Sequence, residues 1–298
     1  MSRARQLRDA ARFAWGLSKG IKRGDLFPAA GRAPSRHAPG GTTEAQRSGT
    51  PLRRLRAEVG WFSESIHTLE VAGLDAPLEI LQLTDVHLRK EGAWLDALCG
   101  ALRGLAAPDL LVLTGDIVTR GYEEGALARF LGSLPPARLG RYAVMGNWEY
   151  WCGAEPAPWR ARLAEHGIEL LVNGASQLGP IDLVGTDDAL AGEVDLAATF
   201  DGLSGRPVVA LTHSPVLFDR LVRPDVSLVL AGHSHAGQVR LPVLGAGWVP
   251  MGTGRYVAGW YQQDETHLYV GRGVGWSIAP VRMWCPPEFA RIRLVPRR

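Results

Sequence analysis

Five short apolar runs in this chain each end on side chains that can bind a metal or move a proton. No other feature limits the possible fold as much. Leu78–Leu83 leads into Thr84-Asp85-Val86-His87. Asp109–Leu113 leads into Thr114-Gly115-Asp116, and Tyr142–Met145 into Gly146-Asn147-Trp148-Glu149. Val208–Leu211 is followed by Thr212-His213, and Leu228–Leu230 soon after by Gly232-His233-Ser234-His235. Short continuous apolar runs bounded by Gly and polar residues read as buried strands. In open α/β sheets, sites form at the carboxyl ends of strands, and all five groups fall there.

The intervening segments have helical spacing. Trp94, Leu98, Leu102 and Leu105 make one apolar stripe; Leu127, Phe130, Leu131 and Leu134 make another; Pro158–His166 reads as a third helix. Ile181–Val184 and Leu268–Val270 add strands. Strand–helix alternation followed by a strand-rich half predicts an α/β fold with sheets flanked by helices. At 298 residues and 46% apolar, the chain can build one sizeable domain with appendages, which argues against disorder. No apolar run reaches the ~18 residues of a membrane-spanning helix.

The charge is unevenly placed. Residues 1–56 hold 13 Lys/Arg and 3 Asp/Glu, a net of +10, while the remainder carries −7. Residues 1–23 read as a basic amphipathic helix, with Leu7, Ala11, Ala14, Leu17 and Ile21 on one face beside Phe13 and Trp15. Such a segment suits an anionic membrane surface; a solvated arm or a helix packed on the body remain as alternatives. Residues 24–56, rich in Gly, Pro, Ser and Arg, read as a flexible linker, and 57–298 as the folded domain. The uncharged run Phe13–Ser18 is too short for a signal peptide. Three scattered cysteines without a CxxC spacing fit a reducing compartment, so the expected location is cytoplasmic, peripheral on the inner membrane face. The acidic body and the lack of a base-reading motif argue against a nucleic-acid partner.

The ligand set of Asp85, His87, Asp116, Asn147, His213, His233 and His235 is chemically coherent. Oxygen and imidazole donors suit Mn, Fe or Zn, and the lack of Cys argues against a closed structural zinc site. Two Asp, one Asn and four His exceed the needs of one ion with an open position and match two.

Asp-x-His, Gly-Asp, Gly-Asn-x-Glu, His and Gly-His-x-His together resemble the signature of the calcineurin-like metallophosphoesterases over residues 78–235. The stretch Gly232-His233-Ser234-His235-Ala236-Gly237-Gln238 is similar to a bacterial branch that often has Gly-His-Thr-His-Gly-Gly-Gln. The tail from Leu268 to Leu294, with Tyr269–Gly275 and Pro286-Pro287-Glu288, resembles the same branch. The resemblance implies a four-layer αββα sandwich of two mixed β-sheets flanked by helices. It implies a first divalent transition metal on Asp85, His87 and His235, a second on Asn147, His213 and His233, and Asp116 bridging them, with Mn favoured. Asp116, Asn147 and His233 would form the catalytic set, and a bridging hydroxide would attack phosphorus in line. The implied partner is a phosphate-containing small molecule or lipid, either a phosphodiester or a lipid-linked diphosphate. The alternative is a noncatalytic metal-binding scaffold on the same fold.

One position departs from the pattern. The family usually has His after the Gly-Asn, where it protonates the leaving oxygen; this chain has Trp148. Relatives that cleave the pyrophosphate of UDP-diacylglucosamine also lack that His. General acid catalysis contributes ~10²–10⁴-fold, so its loss favours leaving groups that depart as anions. Glu149, the usual partner of that His, is left without an assigned role, and Trp148, Tyr150, Trp151 and Trp159 are candidates for an apolar wall or for core.

Overall fold

The strand that most shapes the molecule is one whose sequence conceals it. In the computed structural model, which describes residues 43–45, 62–241, 245–277 and 280–298, the C-terminal segment Glu288–Pro296 (β15) lies between two early strands. It runs parallel to β2 (Ser63–Val71) and antiparallel to β3 (Leu78–Leu83), closing the end of the chain onto its beginning. The full first sheet has the order β1-β2-β15-β3-β4-β5-β6, where β1 is Thr43–Ala45, β4 Leu110–Thr114, β5 Arg141–Val144 and β6 Ile168–Leu170. β3 to β6 are mutually parallel. The second sheet has the order β13-β14-β10-β9-β8-β7, formed by Gly174–Gln177 (β7), Asp182–Gly185 (β8), Val208–Leu211 (β9), Val226–Ala231 (β10), Gly259–Gln263 (β13) and Thr266–Val270 (β14), while Arg240–Leu241 (β11) and Gly245–Ala246 (β12) pair separately. Its four inner strands are parallel and its two edges antiparallel.

The sheets pack face to face. Ile80, Val112, Val144 and Ile292 meet Leu183, Val209, Leu211 and Leu230 in a buried apolar layer between them. The outer face of the first sheet is covered by α1 (Ala93–Arg103), α2 (Glu124–Leu131) and α4 (Pro156–Ala164), through Leu95, Leu98, Leu102, Leu127, Phe130 and Leu163. The outer face of the second is packed, among the described residues, by the short helices α5 (Leu196–Thr199) and α6 (Phe218–Leu221), by Leu190, Val216 and Leu217, and by Tyr256 and Tyr261. This is the expected αββα sandwich of two mixed sheets. α1 and α2 follow the apolar stripes; α4 starts two residues before the predicted Pro158, because Pro156 sits at the first helical position, where its missing N–H costs nothing.

Residues 1–23 and nearly all of 24–56 lie outside the described residues. Among the described residues, no helix is long and apolar enough to cross a membrane.

Candidate metal centre

The carboxyl ends of β3, β4, β5, β9 and β10 carry the candidate ligands, and the loops leaving them are tied together. Asp85 N–H donates to the Gly115 carbonyl at 3.1 Å, and His87 N–H to the Asp116 carbonyl at 3.0 Å. Across the sheets, His233 N–H donates to both Asp85 carboxylate oxygens at 3.1 and 2.9 Å. Gly-His and Gly-Asp spacings follow from this crowding. A Cβ on Gly232 would lie 2.6 Å from Asp85 Oδ2, and one on Gly115 2.6 Å from His213 Nδ1, so neither position admits a side chain.

Five of the seven predicted ligands have left-handed backbones: Asp85 (φ 53°), His87 (49°), Asp116 (53°), His233 (68°) and His235 (49°). Each such residue costs on the order of 1–3 kcal/mol and persists only where its surroundings overdetermine it, which is typical of functional sites.

The ligand atoms fall into two buried triads, Asp85–His87–His235 and Asp116–His213–His233, each with its ligand atoms within 4.8 Å of one another. One oxygen joins them: Asp116 Oδ2 is 3.3 Å from His213 Nε2 and 3.6 Å from His87 Nε2. Asn147 begins α3 (Asn147–Trp151) after β5 and is buried, with an Oδ1 that has no hydrogen-bond partner.

Several features fit a cation. His213 Nδ1 donates to the Thr114 carbonyl at 2.8 Å, and His233 Nε2 to the Met251 carbonyl at 2.7 Å. Each hydrogen bond fixes a tautomer that leaves the other ring nitrogen with a free lone pair, the outer-shell arrangement of metal-binding histidines. Those free nitrogens, His213 Nε2 and His233 Nδ1, face each other at 3.1 Å. His87 Nε2 and His235 Nε2 face each other at 2.9 Å. Burial holds the imidazoles of His87 and His235 well below their usual pKa and His233 at about 3, helped by neighbouring positive charge, so they stay neutral as ligands must. Asp116 is pushed up to about 7, mainly by burial, with the Glu149 and Asp85 carboxylates adding to it. For His213 burial favours the neutral ring, but the Asp116 and Asp85 carboxylates outweigh it and raise its pKa above the usual imidazole value. The buried Asp85 and Asp116 carboxylates packed against these imidazoles call for positive charge, which divalent cations would supply.

Two residues gain roles that the sequence did not reveal. Glu149 is fully buried and accepts N–H bonds from Asp116, Ile117, Val118 and Gly146 at 2.6–3.2 Å, so it braces the Asp116 loop against α3. Arg282 is buried with its Nη2 3.3 Å from His235 Nδ1, its other donors going to the carbonyls of Gly275, Arg272 and Cys285. A Pro-Val-Arg-Met stretch near a chain end gives no signal for such a position.

Of the aromatic group, Trp148 stands edge-on to His87 at 5.5 Å and to Trp151 at 5.7 Å, both half-buried beside the site. Tyr150 donates to Asp187 at 2.6 Å. Trp159 belongs to the core under α4. The Trp148 N–H donates to Asp116 Oδ1 at 2.8 Å, leaving Oδ2 to face the two triads.

Comparison with known proteins agrees with this geometry. Residues 78–237 match the calcineurin-like phosphoesterase family. The phosphodiesterase YaeI of Escherichia coli K12 is 32% identical over 249 residues, 80% of this chain and 90% of its own length. The uncharacterized metallophosphoesterase YkuE of Bacillus subtilis 168 is 30% identical, covering 70% of this chain and 76% of its own. The uncharacterized metallophosphoesterase Cj0846 of Campylobacter jejuni is 31% identical over 76% of this chain, which spans about 61% of that relative's length. A motif set that spans both sheets, buried triads built from it and relatives of the same kind lead to one identification: this chain belongs to the calcineurin-like phosphoesterase family, and is a metal-dependent phosphoesterase.

Proposed function

We propose that the chain hydrolyses a phosphodiester or a diphosphate with two divalent metal ions, Mn favoured over Fe or Zn. The observation that carries this reading is Asp116 Oδ2, a single carboxylate oxygen within reach of both triads. Asp85, His87 and His235 would hold one ion, and Asn147, His213 and His233 the other, with Asp116 shared. When bound, a metal pair provides hydroxide at neutral pH and draws charge from the phosphoryl oxygens.

The chain's own groups supply orientation. The Trp148 N–H holds Asp116 so that one oxygen serves both triads. The Thr114 and Met251 carbonyls lock His213 and His233 in the ligating tautomer. Glu149 fixes the loop that carries Asp116 and is committed to four backbone donors, so it is not free to shuttle protons. The indole at position 148 is a donor only through Nε1 and too weakly acidic to protonate an alkoxide. This supports substrates whose leaving group departs as a stable anion. The name of the Escherichia coli relative, a phosphodiesterase, points the same way.

We also propose that residues 1–23 attach the domain to an anionic, cytoplasmic membrane face, with 24–56 as linker and 57–298 as the catalytic body. A lipid-linked diphosphate would then lie within reach.

The test is a screen of purified chain, stripped by chelation and resupplied with Mn²⁺, against an aryl phosphodiester, an alkyl phosphomonoester and a lipid-linked diphosphate. Asp116→Ala should lower kcat/KM by about 10³-fold or more, since it withdraws several kcal/mol of charge stabilisation. It should also reduce bound transition metal measured by elemental analysis. Full activity of Asp116→Ala after chelation and dialysis would refute the two-metal reading.

A further inference from the structure

Among the described residues, the exposed large apolar side chains are Trp248, Met251, Val281 and Trp284, and all of them lie on two loops beside the candidate metal centre. Trp248 is 63% exposed, although an indole carries one of the largest apolar surfaces of any side chain. Backbone contacts join these loops to the segment that carries His233 and His235. His233 Nε2 donates to the Met251 carbonyl at 2.7 Å, and a Cβ on Gly237 would lie 3.0 Å from the Trp248 carbonyl oxygen. Gln238 Nε2 donates to the Val281 carbonyl at 2.8 Å. Cys285, next to Trp284, donates from Sγ to the His235 carbonyl at 3.3 Å. Trp284 itself has a left-handed backbone (φ 49°), which is costly for a bulky residue and persists only where the surroundings impose it. Exposed apolar groups gathered in this way mark an interaction surface, unlike single ones scattered over a protein.

The charge around this rim is one-sided. Residues 232–258 and 271–287, which include both loops, contain four Arg and no Lys, Asp or Glu, so the net −7 of the body lies elsewhere. Arg255 and Arg272 pair with Asp219 and Glu288, and Arg282 is buried, while Arg240 sits half-buried within the rim. The basic part of the chain joins the body at the same place. Ala290 pairs with Gln82 and Glu288 with Ser63, so β2 begins at the end of the sheet where β3 gives way to Thr84-Asp85. Ser63 N–H donates to the carbonyl of Pro287, on the loop that carries Trp284, at 2.8 Å. Residues 46–61, which lead into Ser63, hold four Arg and one Glu.

We propose that this rim is a docking surface for an anionic bilayer, with Trp248 and Trp284 entering the interface and the metal centre turned toward the headgroups. Indole rings settle at the headgroup level of a membrane, where the ring and its N–H both find partners. Loops free of acids, next to a basic segment, meet no repulsion from anionic lipid. The contact is made by the folded body and adds to the attachment proposed above for residues 1–23. Four side chains are too few to hold the body at a bilayer without the arm, and stable anchoring takes two signals. A phosphate carried by a lipid would then reach the ligands without leaving the interface.

The test compares the full chain with its double variant Trp248→Ser/Trp284→Ser on mixed phosphatidylglycerol–phosphatidylcholine vesicles, in excess chelator so that neither metal nor turnover enters the readout. The double variant should bind about tenfold more weakly. At saturating vesicles, lipid brominated in its acyl chains should quench tryptophan emission more in the unaltered chain than in the variant, since Trp15 of the arm is common to both. Both chains should unfold at the same urea concentration, because exposed side chains add little to stability. Trp248→Ser alone should shift binding and quenching in the same direction, so the outcome does not hang on the strained position. Equal affinity and equal quenching overturn the proposal. A dimer of the unaltered chain that the double variant loses, with vesicle binding unchanged, assigns the rim to self-association and overturns it too. A chain that docks as expected but hydrolyses no phosphoester in Mn²⁺ supports the rim and refutes the hydrolase reading instead.

Discussion

Trp148 touches both halves of the chemistry: its backbone N–H holds Asp116, and its ring stands against His87. The backbone role survives any substitution that keeps α3, so the side chain can be tested alone. Trp148→His introduces an acid next to the first triad. It should raise kcat/KM on alkyl monoesters by about 10²-fold or more and leave aryl and diphosphate substrates nearly unchanged, because only the former need a proton on the leaving oxygen. The measurement is log kcat/KM against leaving-group pKa for both proteins. The histidine variant should give the shallower slope; identical slopes would rule out a missing acid as the origin of the preference.

At the level of elements, β2, β13, β14 and β15 are joined by a polar seam between the sheets. His67 Nε2 lies 3.1 Å from the Tyr269 hydroxyl, Trp260 Nε1 donates to His67 Nδ1 at 3.2 Å, and Tyr269 donates to Glu288 at 2.9 Å. Glu288 also pairs with Arg272 at 2.9 Å. Burial alone would raise the Glu288 pKa, but the Arg272 guanidinium and N–H bonds outweigh it and hold the carboxyl below its usual 4.5. A group depressed in the folded state contributes stability that is fully present above its unfolded pKa and lost as pH falls through the folded value. Acid unfolding should therefore steepen below pH ~4.5, and Glu288→Gln should flatten that part of the stability–pH curve. Tyr269→Phe should cost about 1–3 kcal/mol at neutral pH, by leaving a buried carboxylate oxygen short of a donor. Urea titrations at several pH values read both. A Glu288→Gln curve parallel to the unaltered one would show that the carboxylate carries no pH dependence.

At the scale of the whole molecule, a +10 arm precedes a −7 body. Each basic residue near an anionic bilayer contributes about 1 kcal/mol, and at 0.1 M salt the attraction is screened over about 10 Å. The full chain should therefore pellet with vesicles containing anionic lipid at low salt and release as salt rises. Removing residues 1–56 should abolish pelleting and preserve activity on soluble substrates. Binding that is indifferent to lipid charge and salt would exclude an electrostatic anchor.

The parallel strands and the candidate metal ligands at their ends were legible in the sequence because both signals are local. A strand buried on both faces reads as a continuous apolar run, as in Leu110–Thr114, and a ligand after a strand needs only a Gly or a short turn to aim it. β2 was not legible: its inward residues begin Ser63, Ser65 and His67, so the apolar alternation that marks a half-buried strand is missing until Leu69. Those polar residues are buried at acceptable cost only because Tyr269, Trp260 and Glu288 arrive from distant strands to bond them. β15 has the same difficulty, since Arg291 is buried in it by pairing with Glu64 at 2.6 Å and with Glu79. The sequence alone determined which residues could hold metal and that they lie at strand ends. Tertiary structure decided that Asp116 reaches both triads, that Glu149 is a brace and that Arg282 sits behind His235. Each of these depends on groups brought together from separate segments, and no local pattern in a chain encodes such distances.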